Sequence, residues 1–487
     1  MDKVGALMES LPTYRQEGYE PPSFNFLPFF LVFTLSVFAL ETYLDLRQHK
    51  RLKATEPPAT LLEIMQRVED DCGKTSTTGD KAGLVQKVRA KFVASQSYGL
   101  DKSRFHFVDS LVDLMINLAT NLLGLMPLLW DFSAKLLTNM GVENGGDIPT
   151  SLVFMFLRII IETIVGLPFS MYSTFVVEGK HGFNKQTLGV FFADKVGGPD
   201  NVHGATFIKG IILSVLIGAP ALAMALHIVE WGGRFFYVYL WVFMLCLTLV
   251  MLTVYPVLIM PLFNKYTPLE EGELKTAIED LAAKVKFPLT KLFVVDGSKR
   301  SGHSNAYFYG FFKNKRIVLF DTLIKQATKE EIVAILGHEL GHWKMSHTIQ
   351  GLVISQIYML ISFSAFALAS ELGEPLRLSF GYSVPASFVT LYLFFAVMWA
   401  PVDHVLSVAM NVLSRKNEFE ADAYAVGHGF SRELQTGLVK LQLENLGNMN
   451  PDPWYSAFHY SHPPLVERLQ AITSENGKSS ATAKKTN

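Results

Sequence analysis

Seven long apolar stretches constrain the fold of this chain more than any other feature. A bilayer core about 30 Å thick is crossed by a helix of roughly 20 predominantly apolar residues. Only 18% of the 487 residues are charged and 49% are hydrophobic, which is too apolar for an ordinary soluble protein of this length. The sequence therefore predicts a mainly α-helical, polytopic membrane protein with seven transmembrane helices, at about residues 24–46, 107–130, 151–175, 207–227, 235–262, 352–370 and 385–410.

Basic residues near the ends of these stretches indicate one orientation in the membrane. Lys and Arg gather in segments 47–106 and 176–209, whereas the alternate connections contain few. Because positively charged loops stay in the cytosol, we expect a luminal N-terminus and a cytosolic C-terminus. The first apolar stretch could be a secretory signal, but no small-residue cleavage site follows it, so we interpret it as a retained helix.

Alternation of apolar and hydrophilic segments divides the chain into five regions. The membrane region holds five predicted helices and a cytosolic loop at about 47–106, and two hydrophilic regions are expected to face the cytosol. The last dozen residues are rich in Ser, Ala, Thr and Lys, which predicts a flexible tail. The expected regions are membrane helices one to five (1–262), a first hydrophilic region (263–350), helices six and seven (351–410), a second hydrophilic region (411–475) and the tail (476–487).

Charge and cysteine content exclude several classes of function. The net charge is only −1, and phosphate binding needs a concentrated basic face, so we expect no nucleic-acid partner. The two cysteines, Cys72 and Cys246, lie far apart in the sequence, which argues against both a disulfide framework and a cysteine-based zinc site. Any metal ligands must therefore be histidines and carboxylates.

A small mixed unit is predicted between residues 291 and 350. Residues 292–295 have the pattern of a short strand, and residues 304–309 and 316–320 have that of two further strands joined as a hairpin. Thr328 followed by Glu331 forms a capping-box pattern, which predicts that a helix begins there and continues through the apolar residues that follow.

That predicted helix carries His338-Glu339-Leu340-Gly341-His342, an HExxH sequence. Histidines four residues apart project from one helix face and can share a metal ion, and Glu339 between them can act as a general base toward an attacking water. The alternative is a chance motif on a solvated helix face, since about one chain in a hundred of this length contains such a string. His347 lies about 180° around the helix from His338 and is not expected to be a ligand.

A third metal ligand is available in a second segment. Glu418 and Asp422 are four residues apart in a helical pattern, so both lie on one face. Glu418 would complete a His2Glu zinc site, and Asp422 could accept the remaining ring N–H of a ligand histidine. The alternative is an acidic solvated face that Arg415 and Lys416 balance.

Four sequence strings together resemble those of the type I CAAX prenyl protease family. They are Ser-Gly-His-Ser-Asn-Ala-Tyr (301–307), Leu-Gly-His-Glu-Leu-Gly-His-Trp (336–343), Glu-Phe-Glu-Ala-Asp (418–422) and Tyr-Ser-His-Pro-Pro (460–464). The resemblance implies a gluzincin-like zinc peptidase in which seven helices enclose a large chamber. It implies one Zn²⁺ per chain, held by His338, His342 and Glu418, with Glu339 as the general base and Asp422 behind the ligands.

The resemblance also implies roles for residues outside the metal motifs. His462 matches a family histidine that could donate a hydrogen bond to the oxyanion, although it could instead cap the helix that begins at Pro463-Pro464. Asn305 and Ala306 resemble an edge strand on which such peptidases bind substrate as an added strand; the alternative is an ordinary hairpin position.

The substrates implied by the resemblance are prenylated CaaX proteins, farnesylated or geranylgeranylated, from which three terminal residues are removed. A second, upstream cleavage of some substrates, lamin precursor among them, is also implied. The expected location is the membrane of the endoplasmic reticulum and the inner nuclear membrane, in contact with membrane lipid, with the active site on the cytosolic or nuclear side. Lys484-Lys485 fits a dilysine retrieval signal.

Two other functions are compatible with parts of the sequence. A membrane quality-control protease would share the HExxH motif and the downstream glutamate. A seven-span receptor or transporter with an accidental HExxH would share only the membrane helices, and it would leave the capped motif helix unexplained.

Overall fold

The computed structural model describes residues 10–72, 83–142, 146–189, 191, 210, 212–263, 265–299, 302–303, 305–310 and 314–486. Helices dominate the N-terminal half of the chain. They are α1 (Leu27–Leu52), α2 (Ala59–Cys72), α3 (Leu84–Leu122), α4 (Leu125–Asn139), α5 (Asp147–Met171), α6 (Ala219–Trp231), α7 (Phe236–Val254) and α8 (Met260–Phe263).

The second half combines four strands with ten helices among the described residues. The strands are β1 (Tyr266–Pro268), β2 (Leu289–Val295), β3 (Ala306–Tyr309) and β4 (Lys315–Phe320). The helices are α9 (Glu273–Val285), α10 (Asp321–Gln326), α11 (Lys329–Lys344), α12 (His347–Leu368), α13 (Gly373–Ser379), α14 (Ser387–Leu393), α15 (Ala400–Gly427), α16 (Ser431–Glu444), α17 (Pro453–His459) and α18 (Leu465–Thr486).

The membrane helices agree with the hydropathy prediction in number and approximate position. Six helical segments of the described chain are long and apolar enough to cross a bilayer, and a bent helix pair raises the number to seven. The span predicted at 207–227 begins in residues that the structure does not describe; its described part is helical over Ser214–Trp231. Only 6% to 17% of each apolar window is buried by other parts of the protein. Most of this apolar surface is therefore not covered by other parts of the described chain and is available to lipid.

The second predicted span is not one straight helix. α3 and α4 meet at a 64° bend, where Gly124 has φ of +69°. A Cβ atom at Gly124 would lie 2.3 Å from the carbonyl oxygen of Tyr14. The segment before α1 therefore presses directly against the bend, and only glycine fits there. Tyr14 and Gln16 also donate hydrogen bonds to Asp131 on α4, at 2.5 and 2.7 Å.

The C-terminal half contains a four-stranded mixed sheet in the order β1-β2-β4-β3. β3 and β4 are antiparallel, which confirms the predicted hairpin, and β2 pairs with β4 in parallel. β1 was not predicted, because three residues are too short for an alternation pattern. One face of the sheet packs against α9 and α11, so that Leu292, Ile317 and Leu336 share a buried cluster.

Two segments predicted to be a cytosolic loop and a flexible tail contain helices. The segment 47–106 contains α2 and the first half of α3, whose apolar residues pack against α16 and α18 around the buried Met65, Phe92 and Leu469. The tail predicted to be flexible continues α18 through Thr486. The helix starts in packed sequence around Leu469 and Ile472, and its Ala and Lys residues are good helix formers, which allows it to continue.

Candidate active site

The motif helix α11 begins as the sequence predicted. The Thr328 hydroxyl accepts a hydrogen bond from the Glu331 amide at 3.3 Å, and the Glu331 carboxylate accepts one from the Thr328 amide at 2.8 Å. Lys440 on α16 donates a further hydrogen bond to Glu331 at 2.6 Å. This start fixes the phase of the helix, so that His338 is buried and turned toward α15.

Small residues let α11 and α15 approach closely. A Cβ atom at Gly341 would lie 3.0 Å from Cα of Ala421 and 3.1 Å from its carbonyl oxygen. Such contacts are tighter than van der Waals packing normally allows, so Gly341 is required where the helices cross. Ala421 lies between Glu418 and Asp422, and this crossing therefore brings both acidic residues beside the two motif histidines.

Three ligand atoms converge at the crossing. Nε2 of His338 and Nε2 of His342 are 3.2 Å apart, and the Glu418 carboxylate oxygens lie 3.5 Å from His338 Nε2 and 3.3 Å from His342 Nε2. Ligands at about 2.0–2.1 Å from a tetrahedral ion are about 3.3–3.4 Å apart. Oε2 of Glu418 is buried and accepts no hydrogen bond from the described residues. A bound cation would give this oxygen a partner. The geometry and the donor set both fit a metal ion.

Asp422 and Arg468 support these ligands from behind. Asp422 Oδ1 lies 2.8 Å from His338 Nδ1, and Asp422 also accepts two hydrogen bonds from Arg468, at 2.8 and 2.6 Å. Arg468 Nη1 lies 3.5 Å from Glu418 Oε2. Glu418 is 5% and Asp422 1% exposed, so the alternative of a solvated acidic face is wrong.

Burial and neighbouring charges shift the pKa values around the site. Burial raises the pKa of Glu339, and the nearby His338 and His342 reduce this increase. Burial disfavours the charged form of His342, but its hydrogen bond to Glu418 outweighs this and raises the pKa of His342. A proton and a metal ion therefore compete for this imidazole. Burial also opposes the charge on Arg468, but hydrogen bonding to Asp422 keeps the pKa of Arg468 raised.

His462 lies at the open side of the cluster. Its Nε2 is 3.3 Å from Glu418 Oε1, and its side chain is 66% exposed. α18 begins at Leu465, and the carbonyl oxygen of Pro464 accepts the first-turn hydrogen bond from the Arg468 amide. The residue flanking the helix is thus Pro464, which disfavours the interpretation of His462 as a cap.

Asn305 and Ala306 lie where the edge strand β3 begins. The carbonyl oxygen of Asn305 accepts a hydrogen bond from the Phe320 amide, and Ala306 is the next residue in the antiparallel register. Because the pairing alternates, the backbone groups of Ala306 and Phe308 point away from β4. The Ala306 side chain is buried, and its amide donates to the Asn305 side chain at 2.8 Å.

Sequence reasoning missed two residues at or near the site, Arg468 and Glu420, and it placed a third, His347, away from His342, which His347 contacts. Arg468 carries no motif, although it lies one turn beyond the Tyr-Ser-His-Pro-Pro string. Glu420 lies between Glu418 and Asp422 in the sequence, and it contacts His347 at 3.1 Å. The prediction for His347 assumed one continuous helix, but α11 ends at Lys344, and the chain turns at Ser346 before α12. His347 nevertheless lies outside the group of three converging ligand atoms.

Comparison with known proteins relates both halves of the chain to one group of enzymes. A family profile described as CAAX prenyl protease N-terminal, five membrane helices, matches residues 48–265, and one described as peptidase family M48 matches residues 268–476. A protein of Oryza sativa named CAAX prenyl protease 1 homolog is 46% identical, with 92% of this chain and 97% of the relative covered. The Homo sapiens protein of that name is 40% identical, with 91% and 94% covered.

A solved structure has the same fold. The crystal structure of S. mikatae Ste24p matches with a TM-score of 0.78 and 35% sequence identity, covering 93% of this chain and all of the other. The protein combines membrane helices, a capped HExxH helix and a carboxylate from α15 as the third ligand. These features and the match to peptidase family M48 define it as an integral membrane metallopeptidase.

The chain belongs to the CAAX prenyl protease 1 family, within peptidase family M48. A receptor or transporter with a chance motif is therefore excluded. The match of residues 48–265 to the CAAX prenyl protease N-terminal region also counts against the quality-control protease.

Arg468→Leu should lower the stability of the metal-free protein by about 3–5 kcal/mol, because it leaves Glu418 and Asp422 buried without their cation. Zinc should restore part of the loss by placing positive charge beside Glu418. Thermal unfolding of the detergent-purified protein with and without zinc measures both effects. Arg432→Leu, an exposed position on α16, is the control. Equal unfolding temperatures for the two variants would contradict the assigned role of Arg468.

Proposed function

We propose that this protein is a zinc endopeptidase that removes the three C-terminal residues from prenylated CaaX proteins. The convergence of His338, His342 and Glu418 around one position, directly beside Glu339, is the observation that carries the proposal. The names of the relatives, CAAX prenyl protease 1, support the substrate class.

His338, His342 and Glu418 would hold one Zn²⁺. Two imidazoles and one carboxylate form a donor set typical of catalytic zinc, and such sites keep a fourth position open. When bound, zinc supplies Lewis-acid chemistry, in that it polarises the scissile carbonyl and acidifies the attacking water. Asp422 would accept the Nδ1–H of His338 and so keep Nε2 available as a ligand atom.

Glu339 would be the general base. It follows a ligand histidine on α11, and burial raises its pKa, which makes its carboxylate a better proton acceptor than an exposed one. It would take a proton from the attacking water and deliver it to the leaving amine. Proton transfer of this kind contributes about 10²–10⁴-fold to a rate.

His462 would donate a hydrogen bond to the oxyanion that forms at the scissile carbonyl. Its Nε2 lies at the cluster, 3.3 Å from Glu418 Oε1, and its exposed ring can turn toward a substrate without disturbing the packed core.

The edge of β3 that faces away from β4 would bind the substrate backbone. Ala306 and Phe308 direct their amide and carbonyl groups toward this edge, and Asn305 could release the Ala306 amide by a side-chain rotation. Main-chain pairing of this kind binds a peptide with little demand on its side chains.

Membrane embedding suits a lipid-modified substrate. A prenyl chain favours hydrocarbon by about 0.8 kcal/mol per buried CH₂, so an anchored substrate reaches a membrane enzyme by lateral diffusion.

We extend the proposal to contact with membrane lipid and to a second, upstream cleavage of some substrates, lamin precursor among them. A prelamin-derived prenylated peptide tests the latter: a single product lacking only three residues would refute it.

We further propose that the protein resides in the endoplasmic reticulum and inner nuclear membranes with both catalytic regions, 263–350 and 411–475, on the cytosolic or nuclear side. The distribution of Lys and Arg between alternate loops supports this orientation. An Asn-linked glycosylation acceptor should be modified in microsomes when placed among residues 17–22 but not when placed in the tail after Thr473; the reverse result would contradict the orientation.

The direct test is cleavage of a farnesylated CaaX peptide by the detergent-purified full chain. Tripeptide release should require zinc and should fall about 10²–10⁴-fold in Glu339→Gln, which removes the base but keeps the ligands. His338→Ala should lose both metal and activity. Mass spectrometry of the products and zinc analysis of each protein provide the two measurements.

Glu330→Gln serves as the matched control, since Glu330 is an exposed glutamate in the first turn of the same helix. An unprenylated peptide of the same sequence tests the substrate class. Normal turnover by Glu339→Gln would refute the assigned base. Equal cleavage of prenylated and unprenylated peptides would point to a general membrane protease instead.

A further inference from the structure

The two ligand histidines use different partners at their second ring nitrogen. His338 Nδ1 contacts a carboxylate directly, that of Asp422. His342 Nδ1 contacts another imidazole: it lies 3.0 Å from His347 Nδ1, and His347 Nε2 lies 3.1 Å from the Glu420 carboxylate. The contacts run in series from His342 through His347 to Glu420.

A sharp turn of the backbone between α11 and α12 places His347 beside His342. α11 ends at Lys344, and Ser346 adopts φ of +59°, a left-handed conformation that non-glycine residues rarely adopt. This turn brings the first residue of α12, His347, back against His342, with ring centroids 5.1 Å apart. The His347 side chain is 7% exposed, so the contact is packed as well as hydrogen-bonded.

Only one placement of protons satisfies the whole series while His342 binds metal through Nε2. His342 must then carry its proton on Nδ1 and donate it to His347 Nδ1, which has to be unprotonated. The proton of a neutral His347 consequently sits on Nε2, where the Glu420 carboxylate accepts it. Each ring nitrogen in the series then has a matched hydrogen-bond partner.

We propose that His347, held by Glu420, is a positioning residue that fixes the tautomer and ring orientation of His342 for zinc. The inference rests on the proposed zinc site. It gives a distinct role to each of the three acids in the Glu-Phe-Glu-Ala-Asp segment, because Glu418 is the ligand, Asp422 orients His338, and Glu420 orients His342 through His347. Partners of ligand histidines typically change metal affinity about 10–100-fold when they are removed.

The test measures the zinc dissociation constant of the full-length, detergent-purified protein by competition with a chelator. His347→Leu fills a similar volume but cannot accept the His342 proton, so it should weaken zinc binding about 10–100-fold. His347→Gln can accept from His342 through its amide oxygen and donate to Glu420 through its amide nitrogen, so it should recover most of the affinity. Glu420→Ala should weaken binding as well, because His347 loses its acceptor.

Lys416→Ala is the matched control for Glu420, since Lys416 lies 3.6 Å from that carboxylate and takes no part in the series. It should leave the dissociation constant unchanged. Wild-type affinity in His347→Leu would overturn the proposal. The proposal would also be overturned if His347→Leu and His347→Gln weakened zinc binding equally and both lowered the unfolding temperature of the zinc-free protein. That result would indicate that His347 acts through packing alone. Failure of the wild-type chain itself to bind zinc would instead refute the proposed zinc site.

Discussion

The close crossing of α11 and α15 is the constraint on which the rest of the site depends. Gly341 and Ala421 bring the two backbones together. Among the described residues, only this crossing gathers three side chains that could hold a metal ion. A side chain at position 341 would press on the backbone of Ala421 and so disturb the spacing between Glu418 and the histidines. The surrounding structure holds this crossing in place: α16 packs against α11, and α18 packs against α15.

Charge balance explains why so many ionisable groups can be buried at this crossing. Glu418 and Asp422 bring two negative charges into a site that excludes most water, and Arg468 contributes one positive charge that contacts both. A divalent cation beside Glu418 would balance the one negative charge that remains together with the charge of the Glu339 carboxylate. The histidines then remain neutral, as ligands must, and each has a partner for its second nitrogen.

The membrane helices and the helices that carry the site could be predicted from the sequence, because both depend on local patterns. Apolar length identified the membrane helices because a spanning segment must satisfy its backbone internally. The capping box at Thr328 and the four-residue spacings His338–His342 and Glu418–Asp422 are local patterns, and they correctly predicted the helix start and the faces on which these residues lie. The alternation of apolar and polar residues predicted the hairpin of β3 and β4. It did not predict that β2 pairs with β4 in parallel.

Features that depend on tertiary contacts were beyond the reach of such patterns. At the bend, Gly124 packs against the carbonyl group of Tyr14, which is distant in the sequence. Arg468 joins the site through the fold of α18, and no spacing to the other motifs indicates this. His347 is not a ligand, as predicted, but its position beside His342 was missed. The left-handed conformation of Ser346 ends the helix before His347, and serine, unlike glycine or asparagine, has no preference for that conformation.

The central claim is that one zinc ion is held by two imidazoles and one carboxylate at this crossing. X-ray absorption spectroscopy of the zinc-loaded, purified protein tests it most directly. The account predicts a first shell of nitrogen and oxygen only, at about 2.0–2.1 Å, with scattering from two imidazoles. A sulfur ligand at about 2.3 Å, or a third imidazole from His347 or His462, would contradict it.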